Sequence, residues 1–253
     1  GRKLIWHSNS PTTGTGYGTQ TAMFARKLAD HYDVAISAFY GVEGGVIPWR
    51  GIPILPAANP SGYGNDTIRE HLKVFGDADA MIVTLMDVWV LEANVWAGLN
   101  VASWVPVDHE PAPKPVVDFF RQTDAVPIAM ARFGERMLKD QGLDPLYVPH
   151  GVDTDAYKPH DKAKAREQLG LPNDAFIVGM VAANKGNPSR KCFAEALTAF
   201  KAFKETHSEA KLFLYTEATG RFGGVNLPQL IHNLDLEPES VIFSDQYRAV
   251  HFP

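Results

Sequence analysis

Residues 4–20 read Leu-Ile-Trp-His-Ser-Asn-Ser-Pro-Thr-Thr-Gly-Thr-Gly-Tyr-Gly-Thr-Gln, a short apolar segment followed by a glycine-rich loop. An amphipathic stretch over 19–31 follows the loop, with apolar side chains three and four residues apart, which predicts a helix. A second short apolar segment, Val34–Tyr40, comes next. A strand, a helix and another strand in this order predict a parallel crossover, and therefore an α/β sheet with helices on both faces.

The same alternation continues to about residue 150. Further short apolar segments predict strands over 80–86, 101–107, 125–130 and 146–149, and 132–141 has helical periodicity. Two Pro/Gly-rich patches, 41–60 and 108–115, are expected to be loops. We therefore predict a Rossmann-like domain over residues 1–150.

Residues 149–159, Pro-His-Gly-Val-Asp-Thr-Asp-Ala-Tyr-Lys-Pro, have turn formers at both ends and no periodicity, which indicates an interdomain linker over 151–160. Alternation then restarts, with helices expected over 162–169, 190–206 and 227–234 and strands over 176–181, 211–215 and 241–244. A doubly wound domain normally has more than three strands. Residues 161–253 are therefore expected to be an incomplete, C-terminally truncated Rossmann-like domain.

Composition limits the class of protein. The 253 residues are 45% hydrophobic, which is enough for a large core. The lone Cys192 has no partner for an internal disulfide, and no apolar run approaches the roughly 20 residues of a transmembrane helix, so we expect a cytoplasmic protein with no transmembrane segment. A net charge of −5 with no basic face disfavours nucleic acid and anionic lipid as partners.

The loop of residues 8–20 is the first candidate binding site. Glycines let the backbone approach a ligand closely, and the start of the following helix offers unpaired N–H groups to an anion. The spacing of Gly14, Gly16 and Gly18 matches neither the dinucleotide motif nor the P-loop. The loop predicts a phosphate or sugar site, and a strand-to-helix turn without ligand is the alternative.

A second candidate is the loop 183–191, between a strand and a helix. Ser189 is expected to cap that helix. Two cations in the first helical turn, Arg190 and Lys191, oppose the helix dipole unless an anionic ligand is bound there. They are interpreted as a pyrophosphate clamp, with a pair of solvated charges as the alternative. Cys192 is interpreted as a small buried hydrophobic residue.

His109 follows an apolar strand and lies between Asp108 and Glu110. It is a candidate to orient a sugar hydroxyl or to move a proton, and a purely structural histidine is the alternative. The sequence has no His/Cys/Asp/Glu cluster with metal-ligand spacing. No metal and no cofactor are therefore expected.

Together the Gly14-Thr15-Gly16 loop, His109, the Pro149-His150-Gly151-Val152-Asp153 linker and Arg190-Lys191 resemble glycosyltransferase family 4 of the GT-B fold. That family has a P-x-G-V-D motif followed by x-x-F/Y-x-P, which Ala156-Tyr157-Lys158-Pro159 matches. The resemblance implies two Rossmann-like domains facing a cleft. It also implies metal-independent transfer of a hexose, with retention, from a UDP- or GDP-sugar held mainly by the second domain to an acceptor hydroxyl bound by the first.

The resemblance implies a catalytic role for His109 beside the transferred sugar. The residues implied to bind the donor are Gly14, Thr15, Gly16, Tyr17, Asn184, Arg190 and Lys191. Arg190 stands in for a family arginine that is missing after Val181, and the family's E-x7-E region is not found. Two alternatives stay open, a GT-B epimerase or phosphorylase and a non-catalytic fragment that binds a nucleotide or sugar.

Overall fold

The computed structural model describes residues 1–75 and 78–251 of the chain. The chain divides into two compact units, Gly1–Asp153 and Thr154–Pro253, called unit 1 and unit 2 below. The division falls inside the 149–159 segment. Among the described residues, no helix is long and apolar enough to cross a membrane.

Unit 1 contains an eight-stranded sheet in the order β3-β4-β2-β1-β5-β6-β7-β8. Its strands are β1 (Lys3–Asn9), β2 (Asp33–Tyr40), β3 (Ile47–Trp49), β4 (Ile52–Leu55), β5 (Met81–Leu85), β6 (Val101–Val105), β7 (Val126–Ala129) and β8 (Leu146–Tyr147). Its α-helices are α1 (Gly16–Leu28), α2 (Ile68–Phe75), α3 (Ala93–Trp96), α4 (Lys114–Gln122) and α5 (Arg132–Asp140). The strands expected from the apolar segments are all present, and they pair in parallel.

Helices cover both faces of this sheet, and β1 shows why. Successive side chains of a strand point to opposite faces. Ile5 packs into one apolar cluster, whereas its neighbours Leu4 and Trp6 pack into another. All three side chains are almost completely buried. A strand buried on both faces is continuously apolar, which is the pattern that the sequence showed.

The prediction of a loop over 41–60 was wrong in part, because β3 and β4 form an antiparallel hairpin there. Arg50 and Gly51 turn the chain with φ values of 50° and 82°, the conformation of a type I′ hairpin turn. β4 also pairs in parallel with β2, through Ile36 and Ile54. Pro48 and Pro53 are paired in this hairpin at the sheet edge, where a missing N–H is tolerated.

Unit 2 has a three-stranded parallel sheet in the order β11-β10-β9. Its elements are α6 (Lys162–Leu169), β9 (Ile177–Val181), α7 (Phe193–Lys204), β10 (Lys211–Tyr215), α8 (Leu227–Asn233), β11 (Val241–Phe243) and α9 (Gln246–His251). Phe193, Leu197 and Phe200 of α7 pack with Leu212 and Leu214 of β10 in one apolar cluster. Strand–helix alternation therefore continues in unit 2 as expected.

Two expectations about the start of α7 were wrong. The helix begins at Phe193 rather than at residue 190, and Cys192 precedes it in the left-handed conformation with φ of 56°. Cys192 is exposed rather than buried. The left-handed backbone at Cys192 changes the direction of the chain before Phe193, whose side chain is buried in the core. The cationic residues 190 and 191 therefore lie in the turn before the helix rather than in its first turn.

A buried hydrogen-bonded chain fixes the 56–64 segment to the sheet. His7 Nδ1 lies 2.8 Å from Ser37 Oγ, which lies 2.8 Å from His71 Nδ1. His7 Nε2 lies 2.9 Å from the carbonyl oxygen of Tyr63. Burial lowers the pKa of His7 to about 4, with the nearby His71 lowering it further and the bond to Tyr63 opposing the shift. Burial also lowers the pKa of His71.

This network predicts that unit 1 loses stability in mild acid. An unfolded His7 binds a proton below about pH 6.5, whereas the folded one does so only near pH 4, so the unfolding free energy falls as pH drops between these values. The loss from His7 is about 3 kcal/mol at most. All five tryptophans lie in unit 1, so urea unfolding followed by tryptophan fluorescence at pH 7 and pH 5 measures it. His7→Gln should flatten the pH dependence, and His31→Gln, at an exposed position, should leave it as steep as in the wild type.

Candidate functional site: the carboxyl edges of the two sheets

The strand order of unit 1 reverses beside β1. β2 lies on one side of β1, and β5, reached after the β3–β4 hairpin and α2, lies on the other. The loops after β1 and β5 therefore diverge and leave a crevice at the carboxyl edge of the sheet. Ligands of open α/β sheets bind at this kind of position.

The glycine-rich loop after β1 is held by its own threonine. Thr15 caps α1, its hydroxyl accepting a 3.0 Å hydrogen bond from Gly18 N–H, and Asn9 Nδ2 donates to the same oxygen over 2.7 Å. A Cβ at Gly18 would lie 2.3 Å from Thr13 Oγ1, so Gly18 is needed for packing. A Cβ at Gly16 would meet no atom within 4 Å. Unit 1 itself thus imposes no steric need for glycine at position 16, which is exposed at the loop surface.

Tyr17 links this loop to the one after β5. Burial raises the pKa of Tyr17, and the negative charge of the neighbouring Asp87 carboxylate raises it further. Burial and the charge of Asp108 raise the pKa of Asp87, and the neighbouring Trp89 and Tyr17 side chains oppose this shift. Asp87 and Trp89 belong to no motif, and sequence reasoning missed both. The only signal was their place directly after an apolar strand.

His109 follows β6 at the same edge. Its Nδ1 lies 2.6 Å from Asp108 Oδ1, and both side chains are largely exposed. The carboxylate fixes the ring orientation and leaves Nε2 available to a ligand. The arrangement suits the orientation of a hydroxyl group or transfer of a proton, and the catalytic role stays a prediction.

In unit 2, Asn184 after β9 ties two loops together. It is buried, and its Nδ2 donates to the carbonyl oxygens of Glu217 (2.9 Å) and Val225 (2.7 Å). Its Oδ1 accepts a 2.9 Å bond from Val225 N–H. Both amide hydrogens are thus used inside the unit, which leaves only a second lone pair on Oδ1 for a ligand. The primary role of this side chain is to position the loops after β9 and β10.

Glu217, directly after β10, organises its own loop. One carboxylate oxygen accepts hydrogen bonds from Thr219 N–H (2.7 Å) and from the Thr219 hydroxyl, and the other accepts from Arg221 N–H at 2.9 Å. Burial opposes ionisation, but these hydrogen bonds outweigh it and lower the pKa of Glu217. The ionised carboxylate therefore holds residues 219–221 in a fixed turn.

Arg190 and Lys191 lie exposed in the turn before α7. The expectation that Ser189 caps the helix was wrong, since Cys192 occupies the cap position and Ser189 Oγ accepts from Lys191 N–H, over 3.3 Å, rather than from a helical N–H. These cations therefore do not lie in the first turn of α7, where the helix dipole would oppose them. Their position in a strand-end loop still favours an anion site.

The structure brings two further cations to this edge. Lys185 and Arg221 each lie 6.0 Å from the centroid of the Phe222 ring, although they come from different loops. Thr216 Oγ1 and Ser244 Oγ, which follow β10 and β11, are buried without a hydrogen-bond partner among the described residues. None of these four residues was predicted from the sequence to bind a ligand, because none belongs to a motif.

Among residues 1–75 and 78–251, no group of three or more His, Cys, Asp or Glu side chains is placed to hold a metal ion. The positive charge in unit 2 comes from lysine and arginine. Independence from metal stays a prediction.

No protein-family model matches the chain. A D-inositol 3-phosphate glycosyltransferase of Stackebrandtia nassauensis is 26% identical to it over 231 residues, which cover 82% of this chain and 49% of the relative. The chain thus spans about half the length of this curated relative. The likeness is to a glycosyltransferase, and membership of family 4 stays a prediction.

Solved structures match both units. WaaG, described as a glycosyltransferase involved in lipopolysaccharide biosynthesis, aligns with a TM-score of 0.66 at 12% identity and covers 99% of this chain and 71% of its own. An E. coli structure described as trehalose-6-phosphate bound with UDP-2-fluoro glucose has a TM-score of 0.60 at 11% identity, with coverage of 99% and 75%. The fold is of the GT-B type. A Listeria monocytogenes protein described as a UDP-N-acetylglucosamine 2-epimerase shares this GT-B fold, with a TM-score of 0.58 at 11% identity and coverage of 99% and 70%, so the fold alone does not separate transferase from epimerase.

The close packing at Asn184 gives a test of the unit 2 loops. A Cβ at Gly224 would lie 2.3 Å from both the carbonyl oxygen and Oδ1 of Asn184. Gly224→Ala should therefore destabilise unit 2 by about 1–3 kcal/mol, as overpacking does. Gly179→Ala, at a position with no atom within 4 Å, is the matched control and should be nearly neutral. Hydrogen exchange of the β9 and β10 amides measures the stability of unit 2 in both variants. Equal protection in the two variants would show that the close packing of Gly224 against Asn184 does not stabilise these loops.

Proposed function

We propose that this chain forms the ligand-binding units of a metal-independent glycosyltransferase that transfers a hexose, with retention, from a UDP- or GDP-sugar to an acceptor hydroxyl. One observation carries the proposal: Lys185, Arg190, Lys191 and Arg221 lie in the two loops after β9 and β10, and the side chain of Asn184 joins these loops. A diphosphate is the anion that such a set of cations at a carboxyl edge suits best.

The chemistry follows from where charge develops. When the bond from the sugar to the diphosphate breaks, negative charge grows on the departing phosphate oxygens. Preorganised cations beside those oxygens stabilise this charge more than they stabilise the ground state, which lowers the barrier. Asn184 and Glu217 fix the backbone of these loops through hydrogen bonds within the unit, so the loops that carry the cations need little reorganisation during the step.

Unit 1 is proposed to bind the acceptor. His109 is the candidate group beside the reacting hydroxyl, since Asp108 fixes its ring and leaves Nε2 exposed. The assignment of Gly14, Thr15, Gly16 and Tyr17 to the donor rests on the family resemblance and stays a prediction. The structure adds that Thr15 fixes the loop and that Gly16 faces open space.

The main competitor is a non-catalytic chain that binds a nucleoside diphosphate or its sugar. Such a chain would use the same exposed cations of the loops after β9 and β10, which bind a diphosphate whether or not transfer follows. Slow hydrolysis of the nucleotide sugar by this chain, or transfer by a longer form, supports the transferase. An epimerised nucleotide sugar among the products would support an epimerase instead.

Removal of one cation tests the donor site. Lys191→Ala should weaken the binding of UDP or GDP by roughly ten- to more than a hundred-fold, the effect of losing one charged hydrogen bond. The fold should be unchanged, because the Lys191 side chain is exposed. Lys162→Ala removes an exposed lysine of α6 and should bind as the wild type does. Isothermal titration calorimetry measures both, and equal affinities for the two variants would remove Lys191 from the site.

Chelation tests the role given to the cations. Nucleoside diphosphate binding, and any donor hydrolysis, should be unchanged by excess EDTA, because lysine and arginine supply the positive charge that a metal ion supplies elsewhere. Strict dependence on added manganese or magnesium would contradict this mechanism.

A further inference from the structure

Two adjacent cavities lie along the carboxyl edge of unit 1, one of about 280 Å³ and one of about 450 Å³. Tyr17, Asp87 and Trp89 line the smaller one, at the crevice beside β1. Asn59 and Glu92 are among the residues that line the larger one. The two cavities share the wall formed by residues 63 and 90, so they form one elongated groove, called the unit 1 groove below.

Aromatic side chains form much of the wall. Trp89 is 61% exposed and Tyr63 is 39% exposed, although large aromatic residues are usually buried. Trp89 lies beside the Asp87 carboxylate in the wall of the smaller cavity. The Tyr63 ring packs against Phe39, with 5.9 Å between the ring centroids, and the Tyr63 carbonyl oxygen accepts a hydrogen bond from the buried His7 ring. Exposed aromatic faces beside polar groups suit the apolar C–H face of a sugar ring.

The charge of the groove is entirely negative or neutral. Its acidic lining residues are Asp66, Asp87 and Glu92, and the charge of Asp108, which lies in the next loop, acts on Asp87. Neither cavity has a lysine or arginine in its lining among the described residues. A phosphate placed here would face like charges with no cation to neutralise it, which is strongly unfavourable.

The hydrogen-bonding groups of the groove suit hydroxyls. A carboxylate has about four lone-pair positions and only accepts hydrogen bonds. The Asp87 carboxylate lines the smaller cavity, where it can accept hydrogen bonds from sugar hydroxyls. Asp66 and Glu92 extend the same capacity along the larger cavity, so a ligand longer than one ring has acceptors along its length.

We propose that the unit 1 groove binds the acceptor, and that this acceptor is an uncharged carbohydrate chain of at least two sugar rings rather than a phosphorylated or otherwise anionic molecule. The identification of this ligand as the acceptor rests on the proposed glycosyltransferase function. The recognition of a neutral glycan rests on the groove alone. The ring in the smaller cavity stacks on Trp89 and donates hydroxyl hydrogen bonds to Asp87.

The test is a glycan array with neutral, phosphorylated and sulfated members, followed by titration of the bound glycans against tryptophan fluorescence. Neutral glycans should bind at least about tenfold more tightly than their phosphorylated counterparts. Trp89→Ala should weaken this binding about tenfold or more, whereas Trp49→Ala, at a tryptophan outside the groove, should not. Equal or tighter binding of the anionic glycans, or no binding of any neutral glycan at millimolar concentration, would overturn the proposal.

A charge reversal sharpens the test. Val90→Lys places a cation in the wall shared by the two cavities and should raise the affinity for phosphorylated glycans several-fold. Val74→Lys, at an exposed valine of α2 outside the groove, is the matched control and should leave the preference unchanged. Thermal melts show that both variants fold. An unchanged preference in a folded Val90→Lys variant would contradict the position assigned to the acceptor.

Nucleoside diphosphate binding, measured on the same variants, separates the two proposals. Loss of glycan binding in Trp89→Ala with unchanged nucleoside diphosphate binding supports both. If no nucleoside diphosphate binds but neutral glycans still bind through Trp89, the glycosyltransferase function fails while the groove remains a carbohydrate site. If only the nucleoside diphosphate binds, the groove proposal fails alone.

Discussion

Parallel pairing of neighbouring strands is the constraint on which the rest of this structure depends. Two parallel strands joined through a crossover both end at the same edge of their sheet. Every strand-end loop of unit 1 except that of β3 therefore gathers at one edge, and the same holds in unit 2. The candidate residues follow strands at these edges. Their chemistry differs, with carboxylates and aromatic rings in unit 1 and cations in unit 2.

This difference in charge has a simple functional meaning. In unit 2, lysine and arginine residues lie in loops that Asn184 and Glu217 hold together with hydrogen bonds. The backbone that carries the positive charges is therefore fixed. In unit 1, Asp87, Tyr17 and Trp89 line the cavity at the crevice beside β1. An anionic donor suits the first environment and a neutral, hydroxyl-rich acceptor suits the second. The separation of charge thus matches the two substrates of the proposed reaction.

Sequence reasoning predicted the strands well, because strands buried on both faces are continuously apolar and are bounded by turn residues. It missed the β3–β4 hairpin because Pro48, Pro53 and Gly51 are typical of loops, whereas at a sheet edge they are compatible with pairing. It placed the start of α7 too early because a left-handed Cys192 has no signature in the sequence.

The candidate site was predictable only where glycines or charges stood out locally. The Thr15 cap follows from local rules. The meeting of Lys185 with Arg221 around Phe222, and of Tyr17 with Asp87, depends on which strands become neighbours. The same is true of Asn184, whose buried amide bonds to Glu217 and Val225, 33 and 41 residues further along the chain. The sequence alone does not show which strands are neighbours in the sheet, so these contacts could not be predicted from it.

The most direct test of the account is to map nucleoside diphosphate binding on the 15N-labelled chain by chemical-shift perturbation. UDP or GDP should perturb the amides of 184–191 and 217–225 most strongly, because these segments follow β9 and β10 at the carboxyl edge of unit 2. Perturbations centred instead on the amino ends of these strands, around Phe176 and Ala210, would contradict the central claim that the carboxyl edge of unit 2 is the donor-binding edge.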